Sequence, residues 1–329
     1  MKTMHLIIAA FAILSANAKA QLRLGSFTTR TQLQTRLQTI NQDPQQPVRL
    51  AVLGDTQNAL GGNLFMQRFG QVAEVVAQTN PDLTQTVGDN IYLGWPLIQR
   101  PQWRLWRNNA QPLFAAGPVL PGWGNHDADS NAIYRHFALP GELFARFHQG
   151  AYSYDAGPVH VAVVNDNTRL IDPALYMLPS FEFRPNGRQY RWLARDLASV
   201  PDDMWTVVVT HKPPYSVNGG YLDTRNLTNL ADQYGVDLVI SGHTHTYETS
   251  LPIANGEPVS EGSQGTIYLV AGTSGARPAN PSARQPDWLR SAQTGNTGFV
   301  LIDATPQTME IQSYTVDGQL FDRMVLTRP

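Results

Sequence analysis

The 329-residue chain has no cysteine. That excludes disulfides, a thiol nucleophile and a lipid-modified cysteine at an export cleavage site. Lysine is almost missing as well: Lys2, Lys19 and Lys212 are the whole set. The net charge of −2 leaves no basic excess, so bulk binding to nucleic acid is not expected and no nucleic-acid groove is evident. No apolar run approaches the roughly 20 residues needed to cross a bilayer, so no membrane anchor is expected.

What the chain does have begins at its start. Lys2, an apolar stretch over residues 6–14 and small residues at Ala16, Ala18 and Ala20 read as a cleavable secretory signal over residues 1–20. A buried N-terminal helix is the other reading of this stretch. Cleavage after Ala18 or Ala20 would deliver a soluble protein that is secreted or periplasmic. Loss of residues 1–20 removes Lys2, Lys19 and no acid, so 22 basic residues would face 26 acidic ones. The remaining length of about 310 residues suits a large α/β enzyme built on one extended core.

Residues 21–47 form a polar segment rich in Gln and Thr, in which Leu33, Leu37 and Ile40 are spaced to line one side of a short helix. Residues 48–329 read as one domain without internal repeats. An apolar strand over 48–53 is followed by a helical pattern through Phe65, Phe69, Val72 and Val76, then a strand over 83–87. A Trp-rich helix near 103–108 and a short strand at 119–120 come next. Residues 151–154 and 159–164 are expected to flank a turn at 155–158 as a hairpin. Helices are expected at 189–197 and 227–234, with strands at 205–209 and 236–240. The tail reads as all-β, with strands at 266–270, 298–302, 309–314 and 324–326.

Five polar blocks each follow one of these apolar strands: Gly54-Asp55, Gly88-Asp89-Asn90-Ile91-Tyr92, Gly124-Asn125-His126-Asp127, His211, and Gly242-His243-Thr244-His245. Their ligand atoms would therefore collect at strand ends, where open α/β sheets bind ligands. Asp is a hard oxygen ligand able to bridge two cations, and Asn and His complete a shell without adding negative charge. Asp89 is the natural bridge. The glycines before Asp55, Asp89, Asn125 and His243 are expected to let the backbone turn sharply. Alone, each block is a common pattern; their order and shared placement make the chain read as a metal-dependent hydrolase.

With these blocks in hand, the sequence resembles the calcineurin-like metallophosphoesterases, and within them the purple acid phosphatases, over residues 48–329. The resemblance implies an α/β fold, a four-layer α/β/β/α sandwich with two mixed sheets. It implies two metal ions: Fe(III) held by Asp55, Asp89, Tyr92 and His245, and a divalent Fe, Zn or Mn held by Asp89, Asn125, His211 and His243. It implies an exported acid phosphatase acting on small phosphorylated substrates, most plainly phosphomonoesters. A phosphodiesterase or nucleotidase using the same metals is the alternative, and a non-catalytic phosphate- or metal-binding protein a more distant one.

A cation pair lowers the pKa of water enough to supply hydroxide near neutrality and screens the charge of a phosphate under attack. His126 and Asp127 are the candidate catalytic residues, His126 facing substrate as a proton or hydrogen-bond donor with Asp127 orienting it. A structural hydrogen bond is the other reading of His126. Tyr92 either ligates iron through its phenolate or packs beside the site. Two positions depart from the purple acid phosphatase pattern. Gln57 replaces a residue that is usually Gly, or His in the wider superfamily, and the segment 212–221 lacks the later His that assists the leaving group. Lys212 is read as solvated, with a charge beside the phosphate as the alternative. Trp95, Trp103, Trp106 and Trp123 either line the cleft or sit in the core, and His136, His148 and His160 are read as surface or core residues.

Overall fold

A computed structural model describes residues 27–57, 63–94, 99–127, 130–141, 150–167, 184–283, 285–293 and 295–328. The expected signal at 1–20, Trp95 and His148 lie outside the described residues.

The first helix, α1 (Arg30–Ile40), starts with a capping box in which Thr29 and Gln32 exchange backbone and side-chain hydrogen bonds. Leu33 on its inner side is buried, and Phe27 just before it stacks between Trp106 and His136. The polar N-terminal segment therefore packs on the body of the domain from residue 27 onward. Next come β1 (Val48–Leu53), α2 (Asn63–Gln78), β2 (Leu83–Thr86), α3 (Gln99–Asn109), α4 (Gln111–Ala116), β3 (Val119–Leu120) and α5 (Ser130–His136). The hairpin is β4 (Tyr152–Ala156) and β5 (Val159–Val163), and its turn narrows to Gly157-Pro158. Then follow α6 (Arg188–Leu197), β6 (Trp205–Val209), α7 (Leu222–Tyr234), β7 (Leu238–Ser241), β8 (Tyr247–Ser250), β9 (Ile253–Ala254) and β10 (Glu257–Pro258). The tail holds β11 (Ile267–Ala271), β12 (Leu289–Gln293), β13 (Gly298–Ala304), β14 (Thr308–Thr315) and β15 (Leu320–Thr327).

These strands form two large mixed sheets. One runs β15-β14-β13-β1-β2-β3, with β1, β2 and β3 parallel and the others antiparallel. The other runs β12-β8-β11-β7-β6-β5-β4, with β11, β7, β6 and β5 parallel. Side chains alternate across a strand, and the second sheet divides its residues accordingly. Val161, Val163, Val207, Val209, Leu238, Ile240 and Leu269 face the main core with residues of the first sheet. Ala162, Val164, Val208, Val239 and Tyr268 face the opposite way onto Leu193 and Leu197 of α6 and Leu227 and Leu230 of α7. Phe69 and Val72 of α2 and Trp103 and Trp106 of α3 pack with the first sheet. The layers are helix, sheet, sheet, helix, as expected. Strands β8 and β12 were not legible in advance because their sequences, YETS and LRSAQ, are too polar to read as apolar runs.

A buried polar clasp joins helix α6 to the edge of the second sheet. His160 on β5 sits between Asp155 Oδ1 at 2.7 Å and Asp196 Oδ2 at 3.0 Å, and Ser153 donates to the other Asp196 oxygen. Burial alone would lower the His160 pKa, but hydrogen bonds and charge from the two carboxylates outweigh it and push it up to about 9. A folded pKa above the ordinary value near 6.5 stabilises the protein fully below that value, and the gain is lost as pH rises through about 9. Asp155 is half exposed, so solvent screening trims the effect to on the order of 1–2 kcal/mol. Denaturation of the parent and His160→Gln at pH 6 and pH 9.5 should therefore show a stability gap at the lower pH that closes at the higher one; a gap that does not change with pH would contradict the charged clasp.

Candidate metal centre

The five polar blocks stand at the ends of β1, β2, β3, β6 and β7, and the two sheets contribute equally. Asp55, Asp89 and Asn125 come from the first sheet, and His211, His243 and His245 from the second. Packing the sheets face to face brings the two sets together. Ligand atoms of Asp89, His211 and His243 lie within 4.8 Å of one another, and so do those of Asp55, Asp89 and His245. Asp89 belongs to both groups. Asn125 Oδ1 lies 3.0 Å from His211 Nε2, which is also 3.1 Å from His243 Nδ1 and 3.3 Å from Asp89 Oδ2. On the other side His245 Nε2 is 3.4 Å from Asp55 Oδ1.

The backbone is forced into these positions. Asp55, Asp89, His243 and His245 have φ of 55°, 52°, 71° and 55°, the left-handed region that costs a residue with a Cβ about 1–3 kcal/mol. The other described non-glycine residues with positive φ are all Asn, which tolerates it. The glycines before the ligands do something other than turn freely. Only Gly88, at φ 100°, is itself left-handed. A Cβ on Gly124 would come 2.0 Å from Asp89 Oδ1, and one on Gly242 would come 2.3 Å from Asp55 Oδ2. These glycines are required because the carboxylates lie against them.

The electrostatics are those of a buried ion cluster. Burial opposes the Asp89 charge, but the His211 imidazole overcomes it and holds Asp89 below the usual carboxylate range. The same contact raises His211 against its own burial. Burial, then the charge of His211, lowers His243 to about 3, so it is a neutral imidazole, the form that ligates a cation. Asp55 Oδ1 is buried, and beyond His245 Nε2 at 3.4 Å it has no close donor among the described residues. A buried carboxylate oxygen so poorly satisfied is costly unless a cation completes it. Together with the hard oxygen and imidazole donors, it makes the set fit two metal ions.

Gln57 is drawn into the centre, with Nε2 3.1 Å from Asp89 Oδ2 and 3.4 Å from His245 Nε2. The His126 backbone N–H donates to Asp89 Oδ1 at 2.8 Å, and its ring stacks on Tyr92 at 5.0 Å. His126 Nδ1 lies 2.6 Å from the Tyr92 carbonyl, so Nδ1–H donates there and Nε2 is left for other partners. Asp127 is buried and accepts from the N–H groups of Asn90, Ile91 and Gly124 and from Asn90 Nδ2. It braces the loops that carry Asp89 and Asn125, and its hydrogen bonds go to Asn90, Ile91 and Gly124 rather than to the His126 imidazole.

Lys212 is 5% exposed, which corrects the solvated reading: the chain buries it directly after His211 under the centre. Trp103, Trp106 and Trp123 are core residues, and Trp106 reaches the site through its indole N–H on Thr56 Oγ1. His136 and His160 are buried away from the centre. Sequence reasoning missed the loop after β11. There Ala276 N donates to the Asp55 carbonyl, Ala279 N to the His245 carbonyl, and Gly54 N to Ser274 Oγ. Thr273-Ser274-Gly275 after an apolar strand was the available signal. Also missed was Glu248, buried, which accepts from Ser216 Oγ, Val217 N and Thr246 Oγ1 and so ties the His211 loop to the His245 turn. Tyr221, in the segment that lacks a His, packs edge-on against His243 at 4.6 Å.

Two mixed sheets between helices, with an Asp/His centre at their shared strand ends, define a metallophosphoesterase architecture. The chain belongs to the calcineurin-like phosphoesterase family, whose sequence profile matches residues 48–247. It is 27% identical over 253 residues to acid phosphatase type 7 of Mus musculus, covering 67% of this chain and 55% of that one. It is 25% identical over 313 residues to purple acid phosphatase 15 of Arabidopsis thaliana, covering 82% of this chain and 54% of that one. The purple acid phosphatase PPD1 from yellow lupin (Lupinus luteus) seeds shares the fold with a TM-score of 0.74 at 20% identity, over 87% of this chain and 55% of that chain. The chain thus spans about half the length of these relatives.

Proposed function

We propose that the chain is a two-metal phosphoesterase that hydrolyses small phosphomonoesters outside the cytoplasm. The observation that carries this reading is the sharing of the buried Asp89 carboxylate by both ligand groups, one completed by Asp55 and His245 and the other by Asn125, His211 and His243. A cation pair held there supplies the nucleophile and offsets phosphate charge. The residues of the chain do the rest. Asp55 and Asp89 provide the negative charge that holds cations, and the four neutral ligands leave the centre with net positive charge to attract a phosphate. His126, its Nδ1–H fixed on the Tyr92 carbonyl, offers Nε2 to a phosphate oxygen or leaving group and donates a proton there when charged. The Tyr92 ring behind it limits its rotation.

The net charge of −2 gives no electrostatic bias toward polyanionic substrates and so favours small esters, and the complete ligand set argues against a protein that merely binds phosphate. His126→Ala should keep two metal ions per chain by elemental analysis and lose turnover by about 10²–10⁴-fold. Loss of metal in that variant would remove the substrate-facing role. On a nitrophenyl monoester and the diester of the same nitrophenol, the monoester should react faster; the reverse order would make the chain a diesterase, and no reaction on either would favour the binding-protein reading.

Ferric iron in the Asp55 group is supported by Tyr92, whose phenolate suits a hard trivalent cation. Iron-loaded protein should then show a visible charge-transfer band that disappears in Tyr92→Phe. If the iron-loaded parent has no such band, the metal pair is of another kind while the hydrolase reading stands.

Export is supported by the pattern of residues 1–20 alone. N-terminal sequencing of protein recovered outside the cytoplasm should begin at Lys19 or Gln21; an exported chain that still starts at Met1 would sink this part.

A further inference from the structure

Another polar loop stands at the same edge of the molecule, and none of the roles assigned above involves it. It is Asn165-Asp166-Asn167, which follows β5, the neighbour of the strand that leads to His211. Asp166 is fully buried. Its Oδ2 accepts from Thr210 Oγ1 at 2.9 Å and from Lys212 N at 2.5 Å, the residues on either side of His211. Its Oδ1 accepts from Asn167 Nδ2, which also donates to the Trp123 carbonyl at 3.1 Å. Both partners of Nδ2 are pure acceptors, so the orientation of that amide is settled by its surroundings. Trp123 lies two residues before Asn125. The loop is itself clamped by Gln189 of α6, which hydrogen-bonds both the N–H and the carbonyl of Asn165.

The consequence is a bridge across the two sheets. Asn125 extends from the first sheet and His211 from the second, yet their side chains meet at 3.0 Å. No strand pairs the sheets at this point, so their separation there depends on side chains. Asp166 holds the His211 backbone from both sides, and Asn167 carries that hold to the segment bearing Asn125. We propose that Asp166 and Asn167 are positioning residues for the Asn125–His211–His243 half of the centre, setting the distance between ligands that arrive on different sheets. The proposal rests on the two-metal reading. It assigns no such part to the Asp55–His245 half, whose backbone is held instead by the loop after β11.

Groups that orient metal ligands from behind are typically worth about 10–100-fold in metal affinity. Asp166→Asn keeps the side-chain size but turns one carboxylate oxygen into a donor that must face a donor. Asn167→Ala removes the Nδ2 bonds to the Trp123 carbonyl and to Asp166 Oδ1 and leaves the Asp166 contacts with Thr210 and Lys212 in place. Metal-free full-length protein is titrated with Zn²⁺ against a chelating dye, and unfolding of the metal-free form is followed in parallel. The parent should bind two ions. Each variant should bind one ion as the parent does and the other about 10–100-fold more weakly, with turnover restored by excess Zn²⁺. The double variant should lose little more than either single one, because both cut the same bridge. Lower metal-free stability with both affinities unchanged would make the loop merely structural and overturn the proposal, as would equal weakening of both ions. A parent that binds fewer than two ions would instead remove the two-metal reading and this proposal with it.

Discussion

Asp89 places a carboxylate where burial is nearly complete, the backbone is left-handed, and ligand groups from both sheets converge. A buried carboxylate costs several kcal/mol unless paired and hydrogen-bonded, and a left-handed non-glycine residue adds about 1–3 kcal/mol. Much of the surrounding structure answers that cost. His211 supplies charge, the His126 N–H and Gln57 amide supply hydrogen bonds, and Gly124 removes the atom that would collide. Asp55, His243 and His245 repeat the same left-handed strain. Strain and buried charge of this kind persist only where the remaining fold over-determines them, and the apolar core between the sheets does so here.

Dividing the ligands between two sheets has a mechanical consequence. Within a sheet, ladder hydrogen bonds fix the relative position of neighbouring strand ends. Between sheets, only side-chain packing and cross-links do so. At the metal edge the β11 loop ties Asp55 of the first sheet to His245 of the second, while Asp127 joins the Asp89 and Asn125 loops within the first sheet and Glu248 joins the His211 loop to the His245 turn within the second; farther away, Tyr154 reaches Gln85 and Arg290 reaches Asp322 across the sheets. Most of these groups are buried, and none of their side chains is among the atoms that converge on the metal positions. The centre is thus two ligand sets held to a common geometry by a ring of polar ties.

The polar blocks after apolar strands were readable because a strand end is a place where the sequence switches abruptly from one kind of residue to the other. The same rule, applied to Asn165-Asp166-Asn167 after β5 or Thr273-Ser274-Gly275 after β11, would have marked both supporting loops. Strands β8 and β12 escaped because a strand held by its neighbours and by polar partners does not need an apolar pattern; Glu248 and Thr246 are buried there by hydrogen bonds. Lys212 was misread for a related reason. Its residue type favours solvent, but its place in the chain directly after the buried His211 encloses it.

By itself the sequence determined the order of the apolar strands and the longer helices, the residue types at each of those strand ends, and so the donor set of hard oxygens and imidazoles. Those follow from local periodicity and side-chain chemistry, which need no neighbour distant along the chain. The tertiary structure alone decided how closely the groups around Asp89 approach it, that the glycines serve close approach more than rotation, and that buried loops outside the blocks share with Asp127 the task of holding the blocks in register. Each of these depends on which atoms meet when the two sheets close on one another, and a contact between residues more than 80 positions apart, such as Asn125 with His211, leaves no periodic trace along the chain.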